Sequence, residues 1–456
     1  MDDTHREQRW NQLLSTYRAR KSETDVHDGR NEFEKDYGRL VFSSPVRRLQ
    51  GKSQVFPLDP NDFVRTRLTH SQEVATLGRS IGATLEKIIY PNSNNPAPGR
   101  IPSLLAAVGI AHDLGNPPFG HHGEQAIREF FQQLDKEGDP LWSKLSPPQK
   151  QDLLNFDGNP QTFRLLVRLQ WILDHNSYNL TYGTLSAGIK YPCNSGNNRK
   201  FGYFQSEIKY IQDIREKTGL AEQVRHPLAY VLEALDDIAY MAGDLEDGVK
   251  KGLLSLDYIA TKLGDLKNPF AEEFIKDYLS DSNNTKYKIP FSGDEKRDVL
   301  IQRLRIRCQE IMIRSLIKIF KEKEQELING GVSDELLSLS ESSSLVSCMK
   351  EIARERIFPS QDVLRLEIAG SKIIKDLMNA FKDAVFVGAD SSSKKATWTK
   401  LYNYIPERLR YIYQRNRESS PEDDNYLRFQ LVVDYVSGMT DHYAVELHQR
   451  LFGVKI

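Results

Sequence analysis

The sequence predicts a mostly α fold. Apolar residues recur at helical spacing over long stretches, as at Val74, Leu77, Ile81, Leu85 and Ile88. A second run, Leu228, Val231, Leu232, Leu235, Ile238, Ala239, Ala242 and Leu245, repeats the pattern. Alternating segments are scarce, and only residues 54–56 and 201–204 read as short strands.

Composition bounds the rest. With 39% hydrophobic and 27% charged residues, the chain has the make-up of a soluble globular protein. Its 456 residues allow two or three domains, or one large helical unit. A net charge of -1 gives no global pull towards nucleic acid or membrane, so such binding would need a local patch. Cys193, Cys308 and Cys348 are scattered, without metal spacing or a disulfide framework, which fits a reducing cytoplasm. MDDTHREQRW lacks the apolar core of a secretory signal, and no apolar run is long enough to span a bilayer.

Residues 1–33 form a polar segment in which Trp10, Leu13, Leu14 and Tyr17 make one helical stripe. Residues 18–30 are expected to be mobile. Arg39, Arg47 and Arg48 precede the 54–56 segment and Pro57. Residues 65–90 read as an amphipathic helix, with His70 on its first turns and Arg67 one turn earlier. A helix start disfavours a charged imidazole, so His70 should be neutral and free to ligate metal. Residues 92–99 are a loop.

Leu104, Leu105, Val108 and Ile110 suit a buried helix that ends in His112 and Asp113. Desolvated there, the pair is best explained by a metal, since imidazole and carboxylate are common ligands of first-row ions. Pro117 and Pro118 stop the helix, and Gly115 and Gly120 permit tight backbone. A new helix from about Gly120 would put His121 and Glu124 three apart on one face, aimed back at the same spot.

Helices broken by Pro140, Pro147 and Pro148 follow, then a loop over 180–202. In the 227–249 helix, Asp236, Tyr240 and Asp244 fall four apart and share a face. Carboxylates beside an apolar face need a cation or donors. Residues 299–321 read as a surface helix with one buried stripe, and 333–347 as a Ser-rich irregular connection. Tyr402, Tyr404, Tyr411 and Tyr413 interleave with Arg408, Arg410, Arg415 and Arg417. Such a mixture suits single-stranded nucleic acid, though arginine stems packed around core tyrosines are its commoner meaning. An acidic loop over 422–424 leads into a final helix over 427–451.

Five stretches carry a family resemblance: QVFPL (54–58), RTRLTHS (65–71), HDLGNPPFGHHGE (112–124), EALDDIAYMAGDLED (233–247) and DYVSGMTDHYA (434–444). They resemble the H…HD…D signature of HD-domain metal-dependent phosphohydrolases. Within these they resemble the deoxyguanosine triphosphate triphosphohydrolases and related dNTP triphosphohydrolases, from about residue 47 to 443.

The resemblance implies an HD-domain helical bundle with an additional helical C-terminal region and few short strands. The catalytic core would span 34–260. Residues 261–456 would complete the nucleotide pocket and make oligomer contacts. His70, His112, Asp113 and Asp236 would be the metal ligands, with Asp236 chosen over Asp237 by the D-x-x-x-Y-x-x-x-D spacing. Manganese or magnesium (Mn2+ or Mg2+), Fe2+ or Co2+ all fit such a set. Gln54 and Val55 would line the nucleoside pocket, the glutamine near the sugar 3′-hydroxyl. Arg67 and Lys200, the latter from a K-x-G-x-F match, would hold the β- and γ-phosphates. Tyr240 would meet phosphate or sugar, and Asp244 the 3′-hydroxyl. Phe358 and Glu367 would close over the base, with a basic partner sought among Lys394, Lys395 and Lys400.

His121 would be the general acid, its tautomer held by Glu124, or else a nucleophile. His122 would face solvent, and His175 would be a core or surface histidine. The family's turn at 156–164 would lead into a long helix running to about His175.

The implied reaction is hydrolysis of dGTP at the α-phosphate to deoxyguanosine and tripolyphosphate. A broad dNTP triphosphohydrolase is the alternative, or an HD phosphatase acting on another nucleotide. A regulatory or nucleic-acid-binding protein with a vestigial HD site is a third reading. The implied partners are a dNTP, other copies of the chain in a hexamer or tetramer, and single-stranded DNA as an activator. No membrane is implied, and the expected location is cytoplasmic.

Overall fold

The computed structural model describes residues 3–21, 28–59, 61–91, 98–196, 200–266, 289–390 and 396–453. Lys394 and Lys395 lie outside the described residues, as do 22–27 and 92–97 of the two segments read as mobile or loop.

Helices carry the described chain. α1 (Asp3–Leu13) brings Trp10, Leu13 and Leu14 fully into the core, while Tyr17 stays exposed and off the expected stripe. Arg18 is fixed rather than mobile: it pairs with Glu32 and Asp36 and donates to the carbonyl of Asn179. α2 (Glu32–Val41) starts with a capping box from Asn31 and Glu34.

α3 (Arg67–Ile89) and α4 (Arg100–Ala111) form the central pair. Every residue from Ile101 to Ala111 is buried, as the apolar run requires. The two helices cross closely: a Cβ on Gly109 would stand 2.9 Å from the Ala75 backbone. That approach sets the His70 and His112 rings 5.3 Å apart.

Phe119 and Gly120 both take left-handed backbone angles and swing the chain into α5 (Gly120–Glu137). The expected long helix to His175 does not form. α6 (Gly158–Arg164) passes into a π-helical turn, Leu165–Leu169, and helix ends before Gln170. Ser177 Oγ accepts from Gln170 N and donates to Leu165 O, folding the chain back there. Nor is 180–202 all loop. Thr181 caps α7 (Tyr182–Ala187), and the buried Asp36 carboxylate holds Thr181 in turn.

α8 (Pro227–Lys250) is buried along nearly its whole length. The 37-residue α9 (Gly293–Asn329) packs against it through Leu300, Leu304, Cys308, Met312 and Leu316. The Ser-rich connection is irregular only to Ser342, where α10 (Ser343–Ile352) begins. α11 (Gln361–Asp383) packs on α5. α12 (Glu407–Ser419) buries Ile412 and Tyr413.

The expected last helix is two. α13 (Asp424–Ser437) and α14 (Asp441–Phe452) are separated by 438–440, where Thr440 caps Tyr443 N at 3.2 Å. The acidic 422–424 segment is a single 3-10 turn, Pro421–Asp423, leading into α13.

No strand occurs among the described residues. Ser53 and Thr66 make one isolated antiparallel bridge where residues 54–56 were expected to extend. In the other strand candidate, Phe201 and Phe204 pack with Phe156 as core anchors instead of pairing backbone. One apolar core gathers α3, α8, α9 and α10; another gathers α5, α11 and α13.

Candidate active site

A cavity of about 880 Å³ opens between these cores. His70 from α3, His112 at the end of α4 and Asp236 from α8 each present a ligand atom, all within 4.8 Å of one another. His70 Nε2 lies 2.9 Å from Asp236 Oδ1, and His112 Nε2 lies 3.6 Å from the same oxygen. His112 Nδ1 contacts the Gly109 carbonyl at 2.7 Å, so it carries the proton and Nε2 turns its lone pair to the group. Buried His112 Nε2 has no hydrogen-bond partner. A buried lone pair facing carboxylates calls for a proton or a cation, and the donor set suits a divalent first-row ion.

The electrostatics agree. Burial disfavours charge on His112, but Asp113 and Asp236 outweigh it and raise its pKa to about 9. Burial likewise opposes charge on Asp236, yet His112 and His70 hold that carboxyl well below its usual range. Asp113 stands at the rim of the group. Its Oδ1 is 3.6 Å from His112 Nε2, while Oδ2 receives Arg67 at 2.5 Å. Burial would raise Asp113, but Arg67 and then the two histidines bring it down to about 2.

The HD turn is braced from behind. Asn116 Nδ2 donates to Asp113 Oδ1 at 2.6 Å. Thr162 Oγ1 receives Gly115 N at 2.8 Å and donates to the His112 carbonyl at 3.1 Å. His121 reaches out into the cavity with its side chain 81% exposed, and its Nδ1 sits 3.0 Å from Glu124 Oε2. Glu124 is buried and accepts Gly158 N at 2.8 Å on its other oxygen. The hydrogen bond from Glu124 raises the His121 pKa.

From the far end of the chain, Asp441 accepts Ser53 N and Phe119 N, each at 3.0 Å. It thereby pins both the 53–55 loop and the start of α5. The DYVSGMTDHYA stretch acts on the cavity through this contact.

The other expected residues line the same cavity: Gln54, Val55, Arg67, Lys200, Tyr240, Asp244, Phe358 and Glu367. Gln54 Oε1 is buried without a partner. Lys200 pairs with Asp157 at 2.8 Å. Burial and then Asp247 push the Asp244 carboxyl well above its usual range, and a neutral acid suits a hydroxyl partner. Burial pushes up the Tyr240 phenol. His122 does not simply face solvent: it pairs with Glu367. His175 is exposed, and neither it nor Lys400 lines the cavity.

Sequence reasoning missed Lys190, Tyr191, Asn159, Lys350 and Arg354, which also line it. Lys190 pairs with Glu233 at 2.9 Å, and Lys350 with Asp237 at 3.2 Å. No periodicity marks Lys190. Arg354 stands four residues before Phe358 on a π turn, a spacing that could have flagged it.

Residues 67–156 match the HD domain, and 340–450 match the phosphohydrolase-associated domain. A deoxyguanosinetriphosphate triphosphohydrolase-like protein of Listeria innocua is 36% identical over 98% of this chain and 100% of its own. The chain belongs to the deoxyguanosinetriphosphate triphosphohydrolase family. A like-named protein of Pseudomonas aeruginosa is 34% identical over 97% of this chain and 98% of its own. The deoxyguanosinetriphosphate triphosphohydrolase of Klebsiella pneumoniae is 29% identical over 93% and 94%. The matched HD domain contains His70, His112, Asp113, His121 and Glu124, and the associated domain contains Phe358, Glu367 and Asp441. No described helix of the chain is long and apolar enough to cross a membrane.

Proposed function

We propose that the chain hydrolyses deoxynucleoside triphosphates, dGTP above all, to the deoxynucleoside and tripolyphosphate. One observation carries this reading. A His/His/Asp group lies in a cavity with cations, Arg67, Lys190 and Lys200, and hydroxyl-seeking groups, Gln54 and Asp244. A triphosphate and a sugar need those two environments on either side of the α-phosphate.

His70, His112 and Asp236 would hold Mn2+ or Mg2+, or Fe2+ or Co2+, with Asp113 as the fourth ligand once Arg67 turns to phosphate. A bound divalent ion polarises a phosphoryl oxygen and lowers the pKa of water. Arg67 and the lysines would neutralise the β- and γ-phosphates, a task that suits the arginine fork. His121, its pKa raised by Glu124, would donate to the leaving oxygen. Gln54 and Asp244 would meet the 3′-hydroxyl, with Tyr240 against phosphate or sugar. Phe358 and Glu367 would close over the base, with Arg354 as a basic neighbour.

The preference for guanine rests on the names of the relatives and on Glu367. A cytoplasmic homo-oligomer, hexamer or tetramer, with single-stranded DNA as an activator, belongs to the same reading.

The test incubates purified protein with each dNTP and with GTP, in Mg2+ and in Mn2+, and separates the products by chromatography. Deoxyguanosine from dGTP alone is the expected result. Turnover of all dNTPs would discard the guanine preference. Nucleoside diphosphate or monophosphate as product would overturn the reaction.

A further inference from the structure

Lys52 stands outside both matched domains, yet its side chain ends beneath the HD turn. It is 3% exposed. Its ammonium donates to the carbonyl of Asn116 and to that of Ser437, the latter at 2.8 Å. Among the described residues it has no carboxylate partner. Ser437 is the last residue of α13, so the ammonium meets the negative end of a helix dipole. Burial lowers the Lys52 pKa to about 7, against the pull of Asp441. A buried ammonium is costly unless its donors are satisfied. Here main-chain carbonyls, not acids, satisfy them.

These bonds converge on Asp113. Asn116, whose carbonyl Lys52 holds, donates from Nδ2 to Asp113 Oδ1 at 2.6 Å. Arg67, whose amide donates to the Lys52 carbonyl at 2.9 Å, pairs with Asp113 Oδ2. Each oxygen of Asp113 is thus held by a residue that Lys52 holds in turn. The joint between α13 and α14 closes on the same place, since a Cβ on Gly51 would stand 3.0 Å from Thr440. Lys52 itself does not line the cavity.

We infer that Lys52 is a positioning residue of the HD turn: through the Asn116 carbonyl it fixes the Asp113 carboxylate beside His112. This rests on the reading of His70, His112, Asp113 and Asp236 as metal ligands, and adds to them a residue that acts from behind. Lys52→Met keeps the length and apolar stem of the side chain and removes the ammonium. The Asn116 carbonyl then loses its donor, while the main-chain bond to Arg67 survives.

Calorimetric titration of the metal-stripped full chain with Mn2+ tests this without recourse to turnover. Lys52→Met should weaken Mn2+ binding by about 10–100-fold, the usual effect of removing a group that orients metal ligands. Lys52→Gln, which keeps N–H donors without the charge, should weaken it in the same direction and serves if Lys52→Met does not fold. Thr181→Val breaks a buried hydrogen bond to Asp36 elsewhere in the fold and should leave Mn2+ binding unchanged. Unaltered affinity in the folded Lys52 variants, or an equal loss in Thr181→Val, would overturn this inference alone. Failure of the unaltered chain to bind Mn2+ would overturn the metal reading and this inference with it.

Discussion

In the proposed reaction, His121 and Glu124 would set the acid–base behaviour of the cavity. A general acid must be protonated, and Glu124 raises the His121 pKa, which extends activity to higher pH. Glu124→Gln removes that support. The alkaline limb of kcat/KM should move to lower pH, with kcat falling by about 10²-fold or more. If His121 attacked unprotonated, the rate would instead rise with pH through the same pKa. Gly158 sits where no side chain fits: a Cβ would meet Asn116 Oδ1 at 2.0 Å and Glu124 Oε1 at 3.0 Å. Gly158→Ala should cost about 1–3 kcal/mol of stability and lower kcat, read by thermal unfolding and steady-state kinetics.

Among the elements, α14 bears on the cavity through Asp441, which holds the lining residues Ser53 and Phe119. Asp441→Ala leaves the amides of Ser53 and Phe119 without their acceptor. A loss of about 1–3 kcal/mol is expected for buried donors left unpaired. KM should rise more than kcat falls, because Gln54 follows Ser53 directly. Calorimetry and kinetics on the same preparation would separate the two effects.

The elements also show what the sequence made legible. α3 and α8 were readable because one face of each is a long apolar stripe, and the HHGE turn because prolines and glycines punctuate it. The end of α6, the helix inside 182–187 and the break between α13 and α14 were not. Ser177, Asp36 and Thr440 create them through hydrogen bonds that local pattern does not encode. The fourteen residues named for the site all fall at the cavity or, for His70, directly behind it. Lys190 and Lys350 escaped notice because an isolated lysine in a polar stretch carries no signal until the fold brings it inward.

Across the whole molecule, the proposed metal site joins α3, α4 and α8, and there protons and cations would compete. Without a cation, the His112 pKa is raised to about 9. Its charged pairing stabilises the fold fully below the unfolded value of about 6.5, and that contribution is lost as pH rises through 9. A divalent ion must displace the same proton, so its affinity should rise by up to about tenfold per pH unit across this window. The gap in melting temperature with and without Mn2+ should therefore widen from pH 6 to pH 9. An unchanging gap would mean that His112 is not a ligand.

In the proposed reaction, water attacks the α-phosphorus of a deoxynucleoside triphosphate in this cavity. Hydrolysis of dGTP in ¹⁸O-water, followed by ³¹P NMR and mass spectrometry, tests it most directly. The label should appear on the terminal phosphorus of tripolyphosphate, with unlabelled deoxyguanosine, and His112→Ala should abolish both products. Orthophosphate or pyrophosphate as the released group, or label in the nucleoside, would contradict it.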